Sequence, residues 1–273
     1  MDFSVARQRF LQEVRQPESD IHLARAALLV AQEAYPILDV ELCLGDLEAI
    51  ADEIRPQLPT ERYPLKILQT INGVLFEELG FRGNADDYYN PDNSYLNVVL
   101  ERRLGIPITL ALVYMEVAAQ LEFPMQGIGL PGHFVVKPAV EDAEIFVDVF
   151  HGGEILFPQD CEALLEKIYG ESVPLQPHFL RPVTPKLFLM RLLGNLKGIY
   201  VNQQAFSLAL GVVDRMLLLF PDDIQQIRDR GLLHYQIGNV TQAQWDLEQY
   251  LTAAPQASDQ RMIRHLLTQL QDD

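Results

Sequence analysis

Residues 102–136 read RRLGIPITLALVYMEVAAQLEFPMQGIGLPGHFVV, and their hydrophobic period changes partway along. From about 108 to 121 apolar side chains fall on nearly every face, which predicts a helix buried all round. Beyond Pro124 the period drops to two. The runs MQGIGL, HFVVKP and, further on, EIFVDVF are short, rich in Val, Ile and Phe, and separated by turn residues. They predict an antiparallel sheet laid against that helix, so the fold class is α+β.

Upstream, residues 1 to about 85 carry helical periodicity. Ala24, Leu28, Ala31 and Tyr35 recur at three and four residues, as do Leu42, Leu44, Leu47, Ile50 and Ile54. A third helix is expected from Pro64 in its first turn to a stop at Gly80. The polar run NADDYYNPDNSYLN lacks the loop spacing and terminal Glu of a calcium site, so it reads as a capped turn. Asn93 or Ser94 is expected to start the helix through SYLNVVLERRL. Downstream, FPQDCEALLEKIYG predicts a helix capped by Asp160. VPLQPHFLRPVTP, with Pro174, Pro177, Pro182 and Pro185, reads as a linker and the domain boundary.

The last third repeats itself. Residues 190–223 laid on 224–257 pair Tyr200 with His234, Ala209 with Ala243, Leu217 with Leu251 and Pro221 with Pro255, an offset of 34. That is the tetratricopeptide period, two antiparallel helices per repeat. Gly231, Gly238 and Ala243 supply small residues for close helix approach, and 258–271 reads as a capping helix.

The formal charge of -17 would repel nucleic-acid phosphates and anionic lipid, so neither is an expected partner. The first 20 residues interleave charges and have no apolar core, so no signal peptide is read there. Without a long apolar run the expectation is a soluble, cytoplasmic protein. Cys43 and Cys161 alone make neither a disulfide framework nor a CxxC metal site. No metal, nucleotide or other cofactor is expected.

His133 is the residue with chemistry to offer. It follows a Gly-Pro-Gly-like turn, and Asp148 lies on the next strand in IFVDVFHGG, brought alongside by a turn near 139–143. Same-face positions on neighbouring strands stand about 5 Å apart, so a hydrogen bond that orients the imidazole is within reach. The alternative is a ring that merely packs the turn. A nucleophile at a packed helix start would complete a cysteine-protease-like triad, since a helix N-terminus lowers a thiol pKa. Here that helix starts GIPITLA, without cysteine. Thr109 offers a hydroxyl, with a helix cap as its plainer reading. Tyr95, Asn93, Arg103 and His151 are expected to line the cleft.

The run 102–136, the FVDVFHGGEIL that follows it and the repeat tail together resemble the SirB-type transglutaminase-like proteins of bacteria, over roughly residues 20–270. The resemblance implies a papain/transglutaminase-like core, with a helical N-terminal region, over 1–180 and an all-α tetratricopeptide-repeat domain over 186–273. It also implies a Cys at a helix start, a His on the following sheet and an Asp on the next strand. His133 and Asp148 match the second and third roles. The first falls within Pro107, Ile108 and Thr109, none of which forms a thiolate. The expected function is therefore a non-catalytic protein- or peptide-binding or regulatory protein, its partner met by the repeat surface and the cleft. The alternative is a hydrolase or acyl transferase using His133 and Asp148 with an atypical nucleophile or none.

Overall fold

The computed structural model describes residues 5–140 and 144–272 and divides into two compact units, Met1–Leu192 and Leu193–Asp273. The division falls inside one helix, Pro185–Asn202.

The first unit starts with helices α1 (Val5–Val14), α2 (Leu23–Ala34), α3 (Val40–Ile54) and α4 (Pro64–Asn72). Asp39 starts α3 by accepting from the N–H groups of Glu41 and Leu42, satisfying donors that a helix N-terminus leaves unpaired. The buried stripe of α3 is Val40, Cys43, Leu47, Ala51 and Ile54. Of the residues expected to form it, Leu42 is exposed and Leu44 and Ile50 are half-buried, because the smaller Cys43 and Ala51 hold the inner face. The helix begun at Pro64 ends at Asn72 and continues as a wider π-helical turn, Gly73–Glu78.

Next come β1 (Arg82–Gly83), α5 (Leu96–Arg102), β2 (Leu104–Gly105) and α6 (Pro107–Gln120). β1 pairs with β2 in parallel. The start of α5 differs from expectation. Tyr95 is its N-cap, and Asn93 and Ser94 belong to a preceding 3-10 turn, Pro91–Ser94, that Asn90 caps. α6 is buried nearly throughout, as its apolar faces require, and contacts α2, α3 and α5 as well as the strands that follow.

Those strands are β3 (Met125–Ile128), β4 (Val135–Pro138), β5 (Phe146–Asp148) and β6 (Glu154–Leu156), a four-stranded antiparallel sheet in the order β3-β4-β5-β6. The runs MQGIGL, HFVVKP and EIFVDVF contain the first three, whereas the three residues of β6 are too few to show a period. Residues 141–143 of the turn between β4 and β5 lie outside the described residues. α7 (Pro158–Tyr169) packs Cys161 and Leu165 against Ile128, Leu130, Val135, Phe146 and Leu156. Its N-cap is Phe157, and Asp160, three residues in, accepts from the Phe157 N–H at 2.8 Å. The proline-rich segment expected to be a linker is packed instead. Val173, Leu175, Phe179 and Leu180 lie on this core, and the Val183 N–H donates to Gly127 O.

α8 (Pro185–Asn202) carries the division. In the second unit α9 (Phe206–Leu219), α10 (Ile224–Gln236), α11 (Val240–Ala253) and α12 (Gln260–Asp272) follow in helical pairs. Gly231 of α10 permits the close approach of α11: a Cβ there would stand 2.8 Å from Leu247 Cγ and 3.1 Å from Asp246 Cβ. Arg230 grips the buried Asp246 carboxylate with two hydrogen bonds, at 2.7 and 2.6 Å. Among the described residues no helix is long and apolar enough to cross a membrane.

Candidate functional site at His133, Asp148 and His151

Three side chains meet where β5 ends. After Asp148 the chain reverses in a tight turn closed by the Gly153 N–H on Asp148 O, at 2.9 Å. Gly152 and Gly153 both have positive φ, +68° and +80°, which only glycine adopts without strain. Asn72 fixes the far side: its Nδ2 donates to Gly153 O at 2.7 Å, while its Oδ1 accepts from the buried Tyr114 hydroxyl. The reversal swings His151 back over Asp148.

His133 comes from the other side. It stands in the turn before β4, its N–H donating to Leu130 O. Val136 faces Val147 across β4 and β5, so His133 is a diagonal rather than a direct neighbour of Asp148 on that face, within reach of a long side chain. Arg191 of α8 fixes the turn by donating to the carbonyls of Leu130 and His133 while lying over the Phe134 ring, 5.3 Å from its centroid.

His133 Nε2 is 2.9 Å and His151 Nδ1 2.8 Å from the same oxygen, Asp148 Oδ2. A carboxylate only accepts, so both ring nitrogens donate. In neutral imidazoles the lone pairs then sit on His133 Nδ1 and His151 Nε2. Asp148 Oδ1 accepts from the N–H groups of Phe150 and His151, at 3.0 and 3.3 Å. Burial pushes the Asp148 carboxyl up, but the hydrogen bonds and charge of His133 and then His151 outweigh it, holding the carboxyl below its ordinary value. Asp148 is 1% exposed and His133 7%, whereas the His151 side chain is 43% exposed and marks the solvent side. The Phe150 ring stands edge-on to both imidazoles and is itself flanked by Tyr88.

Of the residues expected at the site, only His133, Asp148 and His151 come together. Thr109 is fully buried, and its hydroxyl accepts from the Ile106 N–H at 3.1 Å and donates to Asn93 O at 2.7 Å. The hydroxyl proton is committed to a carbonyl, so Thr109 locks the start of α6 from its third position. The N-cap itself is Ile106, not Thr109. Asn93 is buried too, its amide held by Asn84, Asp87 O and Tyr88 O. Tyr95 is buried with its ring edge-on to Tyr35. Arg103 ends α5 in a left-handed conformation and donates to Leu79 O. It lines a groove with Cys43, Asp46 and Glu53 instead. The turns around these residues consume their polar groups.

Neither thiol is among the three side chains that meet there. Cys161 is wholly buried in the core under the sheet, and burial, then the charges of Asp160 and Asp148, push its thiol up to about 12. Cys43 lies on α3, where burial also pushes its thiol up. Both are free.

Sequence reasoning missed His151 as a second partner of Asp148, although its three-residue offset ahead of two glycines was a signal. Arg191 gave none, since it reaches the turn from 58 positions downstream. His133, Asp148 and His151 also offer three donor atoms within 4.8 Å of one another, a set able to hold a metal ion. The expectation of no metal rested on local spacings, which a cluster drawn from two separate turns does not obey.

Residues 41–194 match the transglutaminase-like superfamily and residues 196–268 the tetratricopeptide repeat. The chain is 37% identical over 263 residues to a UPF0162 protein of Xylella fastidiosa (strain 9a5c), covering 94% of this chain and 92% of that one. It is 28% identical over 218 residues to a UPF0162 protein of Vibrio cholerae, covering 80% of each. F-box only protein 21 of Mus musculus is 33% identical over 184 residues, which span 63% of this chain and 28% of that protein. No solved structure matches. With the fold, the 34-residue period and these matches in agreement, the chain belongs to the UPF0162 family, the SirB-like proteins in which a transglutaminase-like unit precedes tetratricopeptide repeats.

Proposed function

We propose that the chain is a protein- or peptide-binding protein whose transglutaminase-like unit performs no thiol chemistry. The observation that carries this reading is the state of the three candidate nucleophiles among the described residues: both cysteines are buried with thiols pushed up, and Thr109 is sealed in the start of α6. Tetratricopeptide repeats generally mediate protein–protein contacts. The second unit fits that role with a groove of about 350 Å³ lined by Val201, Phe206, Leu232 and Leu233 and edged by Lys197 and Asp229.

Two assays test it. Glutamine peptides offered with an amine acceptor, and simple esters, should show no turnover above that of His133→Ala. An arrayed peptide library should capture the chain but not its Val201→Asp variant. Turnover that His133→Ala abolishes would overturn the non-catalytic half, and capture unaffected by Val201→Asp would overturn the binding half.

A second reading has its own support. His133 presents Nδ1 unbonded to any described residue while Asp148 holds Nε2, the arrangement of a general base. A hydrolase that activates water this way would show turnover dependent on His133 and unchanged by Thr109→Val.

A further inference from the structure

We propose that His133 Nε2, Asp148 Oδ2 and His151 Nδ1 bind a divalent first-row transition-metal ion. This goes beyond the binding reading above, which stands or falls on different assays. The support begins with spacing. An ion about 2.1 Å from each donor sets neighbouring donors roughly 3.0 to 3.4 Å apart in octahedral or tetrahedral geometry. Here both nitrogens already stand 2.9 and 2.8 Å from the shared carboxylate oxygen, and all three donor atoms lie within 4.8 Å of one another, so a rotation of the half-exposed His151 ring toward His133 completes the set.

Support for the donors comes next. Metal-ligating carboxylates are themselves held by hydrogen bonds, and Asp148 Oδ1 is held by the N–H groups of Phe150 and His151. Both turns that deliver the histidines are pinned from outside, one by Arg191 and the other by Asn72. The two inner ligands are buried and His151 is half-exposed, which supplies an entry path and places water or a ligand group on the outer coordination positions. Two imidazoles and one carboxylate suit zinc, iron, nickel or copper; calcium and magnesium favour all-oxygen shells. Two neutral imidazoles and one carboxylate carry one negative charge, favourable for a cation.

The hydrogens balance without a net loss. Each imidazole moves its ring hydrogen from the nitrogen facing Asp148 to the other ring nitrogen, giving the lone pair to the ion. No protein proton is released beyond those of any bound water.

The test uses zinc on the full chain stripped of metal. Equilibrium dialysis against Zn²⁺ should give one bound ion per chain, weakened about 100-fold or more in His151→Ala and unchanged in His265→Ala, an exposed histidine outside the cluster. With Co²⁺ as the probe, d–d absorption bands should appear and vanish in the same variant. If His151→Ala fails to fold, the unaltered chain decides: Zn²⁺ should protect His151 from diethylpyrocarbonate, read by peptide mass spectrometry. No stoichiometric uptake, uptake retained in folded His151→Ala, or modification of His151 at an undiminished rate would each overturn the proposal.

Discussion

Replacing Asp148 by asparagine keeps the shape of the side chain and removes its charge, which makes it the sharpest probe of the cluster. Four N–H donors converge on the carboxylate: the backbones of Phe150 and His151 on one oxygen, His133 Nε2 and His151 Nδ1 on the other. Asparagine has one acceptor oxygen. The least disruptive arrangement leaves that oxygen on the two backbone N–H groups and turns the NH₂ toward the imidazoles, each of which must then move its ring hydrogen to the far nitrogen. No hydrogen bond need be lost, but all four lose their ionised acceptor. At about 1 kcal/mol of difference for each, offset by about half through the relieved desolvation of the buried charge, Asp148→Asn should cost about 2 kcal/mol. Amide hydrogen exchange reads this locally, and about 2 kcal/mol corresponds to roughly 30-fold faster exchange for amides protected by opening of this segment. Peptides spanning β5, the glycine turn and β6 should show the acceleration, while those of α10 and α11 should not. Protection within about threefold of the parent in β5 and β6 would mean that the carboxylate does not hold the cluster together.

Two further outcomes follow from the same structure. Because the Asp148 carboxyl titrates below its ordinary value of 3.8 when folded, its contribution to stability is complete above that value and is lost as pH falls through the lower folded one. Urea midpoints measured downward from about pH 5 should therefore show the gap between the parent and Asp148→Asn closing in acid; a gap that widens there would contradict the direction of the shift. Gly231→Ala gains about 1 kcal/mol of helix propensity but places a methyl 2.8 Å from Leu247 Cγ, an overpacking that costs about 1 to 3 kcal/mol. A net loss of about 1 kcal/mol is expected in urea melts followed by circular dichroism, and a stabilised variant would show that α10 and α11 are not at contact distance there.

Much of this was readable from local patterns. The period change after residue 121 gave α6 and three strands because burial on all faces and burial on one face leave different marks. The 34-residue offset gave the repeat pairs, with Gly231 at the close approach of α10 and α11. His133 and Asp148 were placed together because neighbouring strands make their separation nearly a matter of arithmetic. What escaped depended on three-dimensional competition. On α3 the large Leu42 lost the inner face to Cys43, which no hydrophobicity ranking foretells. Thr109, Asn93 and Tyr95 have the side chains of a binding site, but buried carbonyls, amides and rings claimed them first. The proline-rich segment has the composition of a linker, yet its Val, Leu and Phe residues outweigh the prolines and hold it on the core.

Arg191 grips the carbonyls on either side of the turn that presents His133, and it belongs to a helix that begins at the last proline of the proline-rich segment. A nascent chain emerging from the ribosome therefore displays every cluster ligand well before it displays the clamp. Until α8 has left the exit tunnel that turn lacks its staple. A fragment cut at 180, where composition alone invites the cut, would be arrested in this unfinished condition.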